Sequence, residues 1–129
     1  MQCFNTIFKK YVGENFKKVF LKVDIEGWEY RILDDLIYYA DFISGLVVEF
    51  HDLDIHNKKV IDFINKFPLN LCHSHANNYA GIDDKNVPIV IELSFTESDI
   101  TESFNLNFPH PLDMPNDKYS DEYKINFID

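Results

Sequence analysis

Three short stretches carry residue types that do chemistry, and each follows an apolar run. In "KVFLKVDIEGWEYRIL", Asp24 and Glu26 flank Ile25 and are followed at once by Gly27. In "VVEFHD", Glu49, His51 and Asp52 close the run, and in "LCHSHANNY" His73 and His75 lead into Asn77, Asn78 and Tyr79. Carboxylates and imidazoles near one another can take and return protons around neutral pH. Side-chain amides donate and accept at once, which suits hydroxyl groups of a ligand. The pattern therefore points to a site that binds a polar molecule and moves a proton.

Plainer roles compete for each residue. Asp24 or Glu26 can serve the free N–H groups and the dipole of a following helix. Glu49 follows an apolar strand, where a carboxylate is costly without a partner, so a His, a Lys or a ligand beside it is expected. His73 and His75, two apart, share one face of a strand. Cys72 reads as a small core residue. The Asp/Glu/His set also resembles divalent-metal ligands. Oxygen donors favour Mg²⁺ or Mn²⁺, and added imidazoles allow Fe or Zn. No spacing matches a specific metal motif such as HExxH, so no residue is assigned as a metal ligand.

The elements that must position these groups follow from hydrophobic spacing. Phe4, Ile7, Phe8, Tyr11 and Val12 predict a helix over 4–13, stopped at Gly13. "KVFLKVD" is apolar on both faces and predicts a buried, parallel strand. Trp28, Ile32, Leu33, Leu36, Ile37 and Ala40 predict a helix, so Gly27 lies at a strand-to-helix junction. "ISGLVVEFH" predicts a second buried strand. Val60, Ile61, Ile64 and Phe67 predict a further helix that Pro68 ends. "NLCHSHANN" predicts a third strand, "NNYAGIDDKN" a loop and "PIVIELSF" a fourth strand. The last two strands have no helix between them and suit an antiparallel hairpin. The tail from 104 to 129 is expected to run extended, with Tyr123, Ile125 and Phe127 as a short final strand.

Alternating strands and helices imply an α/β fold, with a mostly parallel sheet and helices on its faces. The 129 residues suit one domain. In such sheets ligands bind beyond the carboxyl ends of the parallel strands, where all three polar stretches would then lie. Net charge is −10 with pI near 4.8, which argues against nucleic acid and against an anionic membrane surface. Two cysteines, Cys3 and Cys72, give neither a disulfide framework nor zinc spacing. With no signal-like or membrane-spanning run, a cytoplasmic location is expected.

"LKVDIEGWEYRIL" resembles the signature of FkbM-type S-adenosylmethionine-dependent methyltransferases, in which a strand ends in D-x-E-G and enters a helix. "LVVEFH", "HSHANNYAGIDDKNVPIVIELSF" and the tail "PLDMPNDKYSDEY" are similar to later segments of that family in the same order. The resemblance covers about residues 17–127. It implies the C-terminal half of a Rossmann-like, seven-stranded methyltransferase sheet, its last strand antiparallel and inserted by a hairpin. It implies methyl transfer to a sugar or another hydroxyl-bearing small molecule. Asp24 and Glu26 would then face cofactor and acceptor, His51 or His75 would act as base, and Glu49, Asn77, Asn78 and Tyr79 would bind the acceptor.

One departure stands out. The family's glycine-rich turn and ribose-binding acid have no match here, since none of the four glycines forms Gly-x-Gly. Weak or no cofactor binding by this chain alone is therefore expected. Two alternatives stand beside the methyltransferase: a non-catalytic remnant that pairs as a homodimer or with a complementing N-terminal half, and a metal-dependent hydrolase or binding module. An exposed first strand would favour such pairing.

Overall fold

The structure is a computed structural model and describes residues 4–12, 18–100 and 109–125. Helix α1 (Phe4–Val12) leads to strand β1 (Val19–Val23), then α2 (Leu33–Tyr38), β2 (Ile43–Phe50), α3 (Leu53–Lys66), β3 (Asn70–Ala76) and β4 (Ile91–Thr96). The sheet order is β1-β2-β4-β3. β1 and β2 pair in parallel, while β4 pairs antiparallel with both β2 and β3. Thus β1, β2 and β3 run the same way, and β4 is inserted against them.

That insertion corrects the expectation of a mostly parallel sheet. Three strands share a direction, but β4 separates β2 from β3, so two of the three pairings are antiparallel. The hairpin itself is as expected. Its loop is closed by an Ile82–Pro88 bridge and by the Asp83 carboxylate, which accepts from the backbone N–H groups of Lys85 and Val87.

β2 is central and buried, as its composition demands: Ile43, Leu46, Val48 and Phe50 have no exposed surface. β1 departs from its expectation. It lies at the sheet edge, where Val23 turns inward and Phe20 stays 66% exposed. Alternation along β1 is therefore of the half-covered kind.

The core lies on one face of the sheet. Val23, Leu46, Val48, Phe50, Leu93 and Phe95 form one cluster with Phe8 of α1, Leu36 of α2 and Phe63 of α3. Phe63 packs edge-on against both Phe50 and Phe95, and Phe8 stacks on Tyr39 at 4.6 Å. All three helices join this cluster, which corrects the expectation of helices on both faces among the described residues. The other face carries Glu49, Glu92 and His75 in one cross-strand row. Lys22 reaches Glu92 at 3.0 Å. Residues of the 109–125 segment meet this polar face instead, through Asp113 on His73 and Glu122 on His75.

The helix expected from Trp28 to Ala40 is broken into a 3₁₀ turn (Glu29–Arg31), α2 and a second 3₁₀ turn (Ala40–Phe42). Trp28 remains 45% exposed, with the Arg31 guanidinium 4.1 Å from its ring centre. α3 ends where expected, because Pro68 forces Phe67 into an extended conformation (φ −72°, ψ 126°). The 109–125 segment is described as turns and irregular backbone, and no strand forms at Tyr123 or Ile125. Cys3, the stop at Gly13, and Phe127 lie outside the described residues.

Candidate functional site

The turn after β1 shapes the site. Trp28 N–H donates to the Ile25 carbonyl at 3.3 Å, so Glu26 and Gly27 occupy the central positions of a tight turn. Both have positive φ, 56° and 90°. That is the requirement of a type I′ turn, easy for glycine and costly for glutamate. The conformation aims Glu26 outward with its side chain 88% exposed.

Neither Asp24 nor Glu26 caps the following helix, whose two segments carry no side-chain cap. Glu29 holds the turn instead. Its Oε1 accepts from the N–H of Ile25 at 3.1 Å and of Gly27 at 3.2 Å. The same oxygen lies 3.1 Å from His51 Nδ1. Glu29 is fully buried, and its Oε2 is buried without a hydrogen-bond partner among the described residues.

His51 follows β2 and meets this turn from the side. Because Oε1 of Glu29 is an acceptor for two backbone N–H groups, the natural assignment puts the ring hydrogen on Nδ1, as a third donor. Nε2 then presents its lone pair. It lies 3.8 Å from Glu26 Oε2 and 3.6 Å from Glu49 Oε1. Ligand atoms of Asp24, Glu26 and His51 lie within 4.8 Å of one another. Tyr30 fixes the backbone behind the ring, its hydroxyl donating to the His51 carbonyl at 2.5 Å. Burial, then the charges of Glu29, Asp52 and Asp54, push the Tyr30 phenol well above its ordinary pKa. It stays a donor through the physiological range.

Asn77 joins the site from β3. Its Nδ2 donates to Glu49 Oε1 at 3.3 Å, while its Oδ1 accepts from Tyr79 and Ala80 N–H. Lys22 neighbours the cluster, but its ammonium is committed to Glu92; that bond raises its pKa, and the charges of Asp24 and Glu49 add to the effect. Asp52 sits at the start of α3 with φ 52° and caps nothing with its side chain. Its Oδ2 would lie 3.5 Å from a Cβ placed on Gly27.

The strand-end expectation thus gathers Asp24, Glu26, Glu49, His51 and Asn77. It does not gather the rest. His75 sits two strands from β2 on the polar row and faces Glu122 at 3.3 Å. His73 is bound to Asp113 at 2.9 Å. Asn78 is buried, and its amide holds the tail: Nδ2 donates to the carbonyls of Asp117 and Ser120, and Oδ1 accepts from Asp117 N–H. Tyr79 is 80% exposed on the turn beyond. Cys72 is half-buried at an irregularity of β3 and lies outside the core cluster, which corrects its reading as a core residue; burial raises its thiol pKa.

Glu29 and Tyr30 are the residues that sequence reasoning passed over. Both sit in the quoted "EGWEY", but an acid at a helix start reads as a solvated charge.

No family model matches the chain, and neither a curated protein nor a solved structure matches it. No helix among the described residues is long and apolar enough to cross a membrane.

Proposed function

We propose that this chain is the acceptor-side half of a Rossmann-like methyltransferase domain of the FkbM type, acting on a sugar or another hydroxyl-bearing small molecule. The observation that carries the reading is the strand order β1-β2-β4-β3, with antiparallel β4 inserted by a hairpin between β2 and β3. A last strand that is antiparallel and inserted by a hairpin is what the resemblance implies for the second half of such a sheet. The cluster at the carboxyl ends of β1 and β2 adds support, since ligands of open α/β sheets bind there.

The residues present fit S-adenosylmethionine in part. Asp24 and Glu26 supply carboxylates suited to a cationic, hydroxylated ligand. The glycine-rich turn that the family uses is not among these 129 residues. The cofactor, when bound, supplies an electrophilic methyl group. What this chain contributes is acceptor handling. Glu49 and Asn77, bonded to each other, orient acceptor hydroxyls. His51, held by Glu29, offers Nε2 to a hydroxyl proton. Positioning then accounts for most of the rate gain.

Titration calorimetry with S-adenosylmethionine tests the reading, first on the chain alone and then after mixing with the N-terminal half of an FkbM-type enzyme. Binding in either arm, followed by methyl transfer to a sugar that His51→Ala abolishes, supports it. No binding in both arms overturns it. Glu26→Gln and His75→Ala assign roles within the active complex; His75 drops out as a base if its loss leaves turnover unchanged.

A non-catalytic dimer is the second reading. It is favoured by β1, which lies at the sheet edge with Phe20 exposed. Light scattering on the purified chain separates monomer from dimer.

A further inference from the structure

We propose that Asp24, Glu26 and His51 form a binding site for one divalent transition-metal ion such as Mn²⁺ or Zn²⁺. The site stands independently of methyl transfer, because it needs no residue outside this chain.

Two observations carry it. The first is convergence from separate elements. A carboxylate after β1, a second in the turn beyond and an imidazole after β2 bring ligand atoms within 4.8 Å of one another. Ligands opposite one another on an ion lie about 4.0–4.4 Å apart, twice the usual bond of about 2.0–2.2 Å. Asp24 and Glu26 are exposed, so small rotations close the difference. Glu49 Oε1, 3.6 Å from His51 Nε2, is placed to add a fourth donor.

The second observation concerns the buried residue behind the imidazole. Glu29, with no exposed surface, accepts at His51 Nδ1 and leaves Nε2 toward the acids. Metal-binding histidines commonly have a carboxylate bonded to the other ring nitrogen, which fixes the tautomer and makes the ligating nitrogen more basic. Glu29 also carries a buried oxygen with no partner among the described residues. Desolvating a carboxylate this far is costly. A cation one residue away, held through the His51 ring, offsets part of that cost.

The donor set selects the class of ion. Two carboxylates and one imidazole sit between the all-oxygen sets of Mg²⁺ and Ca²⁺ and the thiolate-rich sets of structural zinc. The chain's net charge of −10 favours any cation, so the test must separate a built site from general acidity.

Mn²⁺ titration followed by electron paramagnetic resonance and calorimetry on the full chain gives that separation. One saturable ion per chain is expected. Glu26→Gln lies on an exposed side chain that the fold does not need, and it is expected to weaken binding about 10-fold or more. Glu29→Gln, which removes no ligand, is expected to weaken it about 10–100-fold. Asp62→Asn, an exposed acid on α3 outside the cluster, is expected to change nothing. Absence of saturable binding overturns the proposal. So does a Glu26→Gln chain that binds like the parent, or an Asp62→Asn loss equal to that of Glu26→Gln. Failure to bind S-adenosylmethionine bears only on the methyltransferase reading.

Discussion

Glu29 Oε1 lies 3.1 Å from His51 Nδ1, and this one oxygen joins the turn after β1 to the end of β2. It also accepts from Ile25 and Gly27 N–H, so three donors from two elements converge on it. The geometry of the site and the stability of the strand-end turn therefore depend on the same buried carboxylate.

Replacing Glu29 with Ala removes the shared acceptor of two backbone N–H groups and the His51 ring nitrogen, all part-buried. Each unsatisfied buried group costs about 1–3 kcal/mol, less where water enters the space left behind. A loss of roughly 2–4 kcal/mol in urea unfolding is expected. A change within about 0.5 kcal/mol, the range of ordinary surface substitutions, would mean that Glu29 does not hold the turn.

Gly27 provides a separate check on that turn. Its φ is 90°, and an added Cβ would meet Asp52 Oδ2 at an ordinary contact of 3.5 Å. The cost of Gly27→Ala is thus a backbone cost, about 1–2 kcal/mol for a left-handed conformation. Asn tolerates that region better, so Gly27→Asn should cost less than Gly27→Ala. Equal losses in thermal unfolding would place the cost in sterics instead.

The legible parts of this fold are those set by local pattern. β2 is a run of apolar residues because it is central in the sheet and turns Leu46, Val48 and Phe50 into the core, and its limits follow from composition. Phe67–Pro68 ends α3 for a reason visible in two letters. The convergence of Asp24, Glu26, Glu49 and His51 follows from strand ends alone. Phe20 makes β1 apolar on both faces and so predicts burial, yet its exposure depends on which strand is central, a tertiary property. The broken helix after Gly27 has the same cause. Helical spacing identifies the inward side, but the bonds of Glu29 that tighten its first turn reach back to the turn and across to His51. Asn77 and Asn78 look alike in sequence. The first meets Glu49, while the second is spent on a tail about 40 residues away.

Tyr30 sets an alkaline limit. Its phenol pKa is raised above the usual value near 10, first by burial and then by Glu29, Asp52 and Asp54. With the folded pKa the higher one, the unfolded chain loses its proton first. The contribution is whole below about pH 10 and is lost as pH rises through the folded value. Lys22, also raised, adds a slope of the same sign. Unfolding measured against pH should therefore fall more steeply above pH 10 for the parent than for Tyr30→Phe. Parallel curves would show that Tyr30 ionises in the folded state as it does in the unfolded chain.

Asn78 governs the tail. Its amide makes bonds of 2.9, 3.0 and 2.8 Å to Asp117 and Ser120 backbone groups, and it is 97% buried, being 3% exposed. Asn78→Ala leaves those groups unpaired and should free residues 109–125 from the polar face. Limited proteolysis is expected to cut this segment faster in the variant, while the core's unfolding transition persists. Unchanged cleavage would mean that the His73–Asp113 and His75–Glu122 contacts hold the segment without Asn78.

Gly45 and Phe20 report on the uncovered face of β1. A Cβ on Gly45 would lie 2.7 Å from the Phe20 ring, against 3.4 Å from the nearest backbone atom, the Phe95 carbonyl oxygen. The ring is the principal obstacle, and at 66% exposure it has room to swing away. Gly45→Ala should therefore cost about 1 kcal/mol or less, well below the 1–3 kcal/mol of a core overpacked by rigid neighbours. In a Phe20→Ala background most of that cost should vanish, giving a measurable coupling between the two positions. Additive losses in the double variant would show instead that the Phe95 backbone, and not the exposed ring, limits what position 45 accepts.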